Sequence, residues 1–324
     1  MKKSFLTIAA VSVAISFMGT ALSGAALAKY PTKNIKVVVH TGPGSGSDMF
    51  ARNVVKMLNK YKKFKKRFVV VNKPGGRGAV AVKYLSTRTG DAHTIMNMAD
   101  SGFLNVPIMS GLDLKLEDFT PLAILGFDVN VIAVLAKSKY KNLKQLVKAS
   151  KAKPKSVSVG VGTIGGSAHI LGYLVSDDTF NFVGFKGGGK ALTAFLGGHV
   201  DISGENISEL ISHTKSGKVR IVGVGSAKRL AVLPNVPTTK EAGFDHQIGL
   251  GRGFVAPGKF PKKAKKTLVK LIKKIRKTKE WKKFAVDNVF QDHYIGGKKL
   301  DKFLKKKRDI YHSFVRKFGL AKKK

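Results

Sequence analysis

The chain has 324 residues, 43% of them apolar and 24% charged, with a net charge of +41. That length favours two domains over a single core, and the apolar fraction excludes wholesale disorder despite the charge. No cysteine occurs, which removes disulfides, thiolate metal ligands, cysteine nucleophiles and lipid-modified cysteines together.

In chain order, Lys2 and Lys3 begin a basic start, an apolar run follows from Phe5 to Met18, and small residues lead to Ala26-Leu27-Ala28. This is the three-part pattern of a cleavable export signal over residues 1–28, so the mature protein is expected to be exported. Ser12, Ser16, Gly19 and Thr20 interrupt the run, leaving it short for a bilayer span of about 20 residues.

Beyond the signal, strands and helices alternate. Ile35 to His40 reads as a buried strand, Asp48 to Tyr61 as a helix and Phe68 to Val71 as the next strand. A helix from Ala79 to Ser86 and a strand from Ile95 to Met98 follow. The rhythm resumes with Val157 to Val161, a helix from Ala168 to Leu174, Phe180 to Phe185, a helix from Ala191 to Leu196, and Val219 to Gly223. Repeated βα units predict an α/β protein with parallel or mixed sheets flanked by helices. Two longer apolar segments, Leu122 to Leu135 and Leu250 to Ala256, break the rhythm as candidate strands crossing between two lobes.

Three glycine-rich loops sit where a strand hands over to a helix. The first is Gly42-Pro43-Gly44-Ser45-Gly46-Ser47-Asp48. Its glycines admit close backbone approach, and the helix start offers unpaired N–H groups for a carboxylate or phosphate. Simple capping by Ser47 or Asp48 is the plainer alternative. As a dinucleotide fingerprint this loop fails, because the second strand ends at Asn72 rather than at an acid. The second loop, Gly160 to His169, repeats the design with Thr163, Gly165, Gly166 and Ser167; its His169 is either a packed histidine or a ligand contact. The third, Gly184-Phe185-Lys186-Gly187-Gly188-Gly189-Lys190, matches seven positions of a phosphate-binding loop but has Ala191 where a magnesium-binding hydroxyl is required.

From Lys259 to Lys324 there are 25 Lys and Arg against 5 Asp and Glu. Leu268, Leu271, Ile272 and Ile275 recur there at helical spacing, so the lysines form the polar face of an amphipathic helix. No nucleic-acid partner is expected, because export and the lack of interleaved aromatics both argue against one. The eight histidines show no close pairs, and neither HExxH nor GxSxG occurs. No metal, cofactor or catalytic nucleophile is therefore called for.

The order of motifs resembles the solute-binding receptors of tripartite tricarboxylate transporters, the Bug family. The resemblance rests on Tyr30-Pro31-Thr32, the Gly42-to-Asp48 loop with Ala51-Arg52, Asn72-Lys73-Pro74-Gly75-Gly76 and the Gly165-to-His169 loop. It continues through Leu196-Gly197-Gly198-His199-Val200-Asp201, Gly217-Lys218, Leu233-Pro234-Asn235-Val236-Pro237-Thr238 and Glu241-Ala242-Gly243.

The resemblance implies a two-lobed, type II-like periplasmic binding protein fold with a ligand cleft between the lobes. It implies lobes of 29–126 with 253–324 and of 127–252. The first two glycine loops would then present amides to ligand carboxylates from opposite lobes, through Gly44, Ser45, Gly46, Gly165 and Gly166. Ser47, Asp48, Thr163 and Ser167 would be the nearest side chains, with His169 close by. Arg252 would pair either with a second ligand carboxylate or across the lobes. Glu205, with Asn206, would line the cleft and favour a ligand hydroxyl or amine. The implied function is capture of a di- or tricarboxylate by a monomer and delivery to membrane permease subunits. The alternative from another class is an exported enzyme, or an anion-binding surface protein acting through the basic tail. The charge departs from that of typical members, which are far less basic.

Overall fold

The computed structural model describes residues 30–245 and 248–322. The expected export signal lies outside them. The chain runs β1 (Ile35–Val39), α1 (Gly46–Tyr61), β2 (Phe68–Asn72), α2 (Ala79–Ser86), β3 (Thr94–Ala99) and α3 (Asp100–Ser110). Two strands follow almost without a break, β4 (Phe119–Val129) and β5 (Val131–Leu135). The middle of the chain holds α4 (Leu143–Ala152), β6 (Ser158–Val161), α5 (Ser167–Ser176), β7 (Asn181–Gly184), α6 (Gly188–Leu196), β8 (Ile202–Ser203), α7 (Ile207–Lys215) and β9 (Val219–Val224). Finally come β10 (Gly249–Pro257), α8 (Lys262–Ile275), α9 (Lys279–Asp287) and α10 (Lys298–Lys317).

These strands form two five-stranded sheets, ordered β2-β1-β3-β10-β4 and β7-β6-β8-β5-β9. In the first, β1 is parallel to β2 and β3, and β10 runs antiparallel between β3 and β4. In the second, β6 is parallel to β7 and β8, and β5 runs antiparallel to β8 and β9. Each sheet is therefore mixed: three parallel βα-unit strands are joined along one edge by antiparallel crossing segments. The two halves share this topology although no sequence repeat links them.

The long apolar segments do cross. β4 belongs to the first sheet and β5 to the second, with the switch at Asn130, and β10 returns the chain from β9 to the first sheet. Both parallel runs lead out of a central strand into a glycine loop and then a helix, which brings the two loops to the same side of the crossing strands. The basic C-terminal helix forms as its spacing predicts. In α8, Ala264, Leu268, Leu271, Ile272 and Ile275 are buried, each large side chain contributing about 1.5–3 kcal/mol of burial. Helix α10 buries Leu300, Leu304, Tyr311 and Val315. Phe318, just past its end, meets the rings of Tyr173 and His169 on α5 at 4.2 and 5.1 Å. The C-terminal segment thereby reaches from the first lobe to the second.

Candidate functional site

The first glycine loop is built by its own side chains. Ser45 is the N-cap of α1 and accepts from the Asp48 N–H at 3.4 Å, so the loop does cap its helix, but through Ser45 rather than Ser47 or Asp48. Asp48 accepts from the Gly44 N–H at 3.0 Å, from Arg52 Nε at 2.9 Å and from Asn72 Nδ2 at 2.8 Å. Its carboxylate is thus a brace inside the loop and does not line the cleft. Gly44 also stands off the cleft: at φ +78° it makes the turn that a side chain would resist.

A cleft opens between the lobes, lined by Ser45, Gly46 and Ser47 from the first loop and Gly162, Thr163, Gly166 and Ser167 from the second. Gly187 and Gly188 of the third loop, together with His40, Thr41, Ser101, Glu205, Asn206, Glu209 and Arg252, complete the polar wall. Eight of the twelve residues singled out from sequence therefore meet here, and Gly44, Asp48, Gly165 and His169 do not. Gly165 turns the second loop at φ +81° and lies where a Cβ would come 2.6 Å from Met109 Sδ. Its N–H donates to His169 Nδ1 at 3.0 Å, and its carbonyl accepts from Asn105 Nδ2 at 2.8 Å. His169 is a packed histidine, edge-on to Phe182 at 4.4 Å. Burial pushes its imidazole down to about 4.

The second loop has the spacing G-x-G-x-x-G at residues 160–165, yet its glycines admit protein. A Cβ on Gly162 would come 2.5 Å from the Gly188 N. The third loop, a failed phosphate loop by sequence, is thereby pressed into the cleft wall at the start of α6.

Arg252 is 2% exposed on β10, and its partner is Asp128, 1% exposed on the neighbouring strand β4. Nη2 lies 2.6 Å and Nε 2.8 Å from Asp128 Oδ2, while Nη1 donates to Ser47 Oγ at 3.2 Å. Ser208 Oγ donates to the same carboxylate at 2.7 Å, and Asn206 Nδ2 to the Asp128 carbonyl at 3.0 Å. The pair joins two crossing strands to α1 on one side and α7 on the other. It is neither a simple lobe-to-lobe bridge nor a free guanidinium.

Two further carboxyls face Arg252. The Gly162 N–H donates to Glu205 Oε1 at 2.5 Å, and the Glu209 carboxyl lies against the Gly46 backbone. Each of the first two glycine loops therefore meets a carboxyl that belongs to the chain itself. Burial pushes both glutamates well above the ordinary carboxylate range, and the Glu205 charge raises Glu209 further. Burial, aided by the nearby Arg252, pushes His40 down to about 4, so a neutral imidazole faces the cleft near neutral pH. Sequence reasoning missed His40, Thr41, Ser101, Gly187, Gly188 and Glu209. The signal for Glu209 was its place as an acid on the first turn of α7, four residues after Glu205.

Comparison with known proteins bears on this arrangement. The family model described as tripartite tricarboxylate transporter family receptor matches residues 50–320. The chain belongs to this family. Among curated relatives, Protein BugT of Bordetella pertussis is 29% identical over 221 residues, covering 66% of this chain and 67% of BugT. A solved structure described as a periplasmic transporter superposes with a TM-score of 0.83 at 25% identity, covering 90% of this chain and 99% of that one. MatC from Rhodopseudomonas palustris, solved with bound malate, gives a TM-score of 0.79 at 21% identity over 88% of this chain and all of MatC. The two-lobed periplasmic binding protein fold expected from sequence is the fold observed. Among the described residues, no helix of this receptor-family member is long and apolar enough to cross a membrane.

Proposed function

We propose that this receptor captures a small organic acid in the periplasm and delivers it to the membrane permease subunits of a tripartite tricarboxylate-type transporter. It would act as a monomer, and catalysis has no part in the proposal. The observation that carries it is the pair of glycine loops opening α1 and α5, which face one another across the cleft from different sheets. Helix starts bearing unpaired N–H groups and a positive dipole end favour carboxylates. Family membership and the malate-bound relative support the same class of ligand. The crossing strands at Asn130 and before Gly249 serve as the hinge in this reading, near the sequence boundaries at 126/127 and 252/253.

A thermal-shift screen of organic acids, amino acids, aromatic acids and neutral sugars, followed by calorimetry, tests the proposal. A carboxylate should bind with micromolar Kd, about −8 kcal/mol. Stabilisation by neutral sugars with none by any carboxylate would overturn it.

A further inference from the structure

Glu205 and Glu209 converge on one wall of the cleft. A Cβ built on Gly188 would overlap Glu209 Oε2 and come within 3.0 Å of Glu205 Oε2. Both residues are more than nine-tenths buried, at 5% and 8% exposure. An ionised carboxylate has about four acceptor sites, yet among the described residues Glu205 takes one backbone N–H, from Gly162, and Glu209 rests against the Gly46 and Gly188 backbone. Among the described residues the one cation facing them, Arg252, already makes two close contacts to Asp128. His40, the other titratable group facing the cleft, is held neutral by burial. This wall therefore has spare acceptors and lacks positive charge.

The adjoining start of α5, in the same lobe, has the reverse character. It presents its first-turn amides, and Ser101 Oγ accepts from the Ser167 N–H at 3.3 Å across the lobes. Thr163 and Ser167 add hydroxyls. Hydroxyls and a helix start suit an anion.

We propose that the solute carries an ammonium group as well as a carboxylate, its carboxylate toward the start of α5 and its ammonium between Glu205 and Glu209. This rests on the carboxylate-receptor reading above and narrows it to amino-bearing acids. An ammonium supplies three donors and one positive charge, the two things this wall lacks. Among the described residues no group of three histidines or carboxylates is placed to hold a metal ion. Burial favours the protonated form of both glutamates, and an ammonium would replace that proton with its own charge.

The test is calorimetry on wild type, Glu209→Gln and Glu205→Gln with matched pairs of acids of three to eight carbons, each with and without an amine, and with 1,4-diaminobutane. The amino acid of the productive pair should bind wild type at least tenfold more tightly than its amine-free counterpart. Either glutamine variant should shrink that ratio at least tenfold, a comparison made within one variant and so independent of its stability. Tighter binding of the amine-free acid, with the ratio unchanged in both variants, would overturn the inference and leave the carboxylate reading standing. A uniform gain for all acids in Glu209→Gln would also overturn it, making Glu209 only a competitor for the start of α1. Binding of the diamine alone would support the ammonium position and overturn the carboxylate reading.

Discussion

Glu209, on the first turn of α7 in one lobe, rests its carboxyl against the backbone of Gly46, which opens α1 in the other. The contact sits at the helix start where an external anion would be expected. It makes Gly46 a position where the two lobes must come within backbone distance. A Cβ there would overlap Glu209 Oε1 and come within 2.9 Å of Arg252 Nη2.

Gly46→Ala should therefore hold the lobes apart and weaken solute binding by about 100-fold, a loss near 3 kcal/mol, while the lobes themselves fold normally. Gly44→Ala should do the opposite. No atom lies within 4 Å of its Cβ, but its φ is +78°; the strain costs roughly 1–2 kcal/mol of stability and leaves affinity almost unchanged. Calorimetry and urea melts on both variants check the contrast. Equal affinity losses would show that the loop acts as one unit.

Most of the βα framework was legible because its strands are unbroken apolar runs and its helices begin at glycine turns. What escaped notice had physical reasons. Helix α3 is buried on most of its surface, including Phe103, Leu104, Asn105, Val106 and Met109, so no amphipathic stripe marks it. Helix α4 is signalled by Asn142, whose side chain accepts from the Gln145 N–H, with Leu143, Leu146 and Val147 buried at helical spacing. Composition of the glycine loops identified the cleft but not which loop residues face it. Asp48 and Ser47 are adjacent in sequence, and only the braces from Gly44, Arg52 and Asn72 turn the Asp48 carboxylate away. Arg252 was identifiable as a buried charge. Its partner Asp128 lies on another strand, more than a hundred residues away, beyond what spacing conveys.

Arg252→Ala would leave Asp128 buried without its cation. Breaking a buried pair from one side costs about 3–5 kcal/mol. The loss should appear chiefly as stability, with a lower urea midpoint. Asp128→Asn in the same chain should recover a substantial part of it by removing the stranded charge. A double-mutant cycle by urea denaturation measures the coupling. Additive losses would show that the Ser47 and Ser208 contacts, rather than the pair, hold the crossing strands.

The ligand-free protein should lose stability toward both ends of the pH range. Glu205 and Glu209 are raised by burial. Their contribution is fully present below the ordinary carboxylate range and is lost as pH rises through the raised values. His169 is lowered from 6.5 to about 4. Its neutral form costs nothing above 6.5, and stability falls as pH drops from there toward 4, by on the order of 1–3 kcal/mol. Glu209→Gln should flatten the alkaline limb alone. His169→Phe should lessen the acid limb alone and leave the share due to His40, likewise lowered to about 4, although it leaves the Gly165 N–H without its acceptor and lowers the whole curve. Urea melts at pH 4.5, 6 and 8 distinguish the two; an unchanged alkaline limb in Glu209→Gln would place the titration elsewhere.

The basic C-terminal region can be separated from the cleft in the same way. Lys262, Lys266 and Lys273 are exposed on α8, while the opposite face of that helix packs into the core through Leu268, Leu271, Ile272 and Ile275. None of the three lysines lines the cleft, and exposed charges more than about 8 Å apart are largely screened at physiological ionic strength. Reversing all three to glutamate should leave equilibrium affinity within about twofold at that salt. Association should slow modestly at low salt, because steering follows the summed field of the molecule. Lys273 lies 5.4 Å from the Tyr294 ring centroid, an exposed cation–π contact worth about 0.5–1 kcal/mol, so a small drop in melting temperature should accompany the change. Stopped-flow association and calorimetry at two salt concentrations provide the readout. A large affinity loss at physiological salt would move the binding determinant from the cleft to the basic helix.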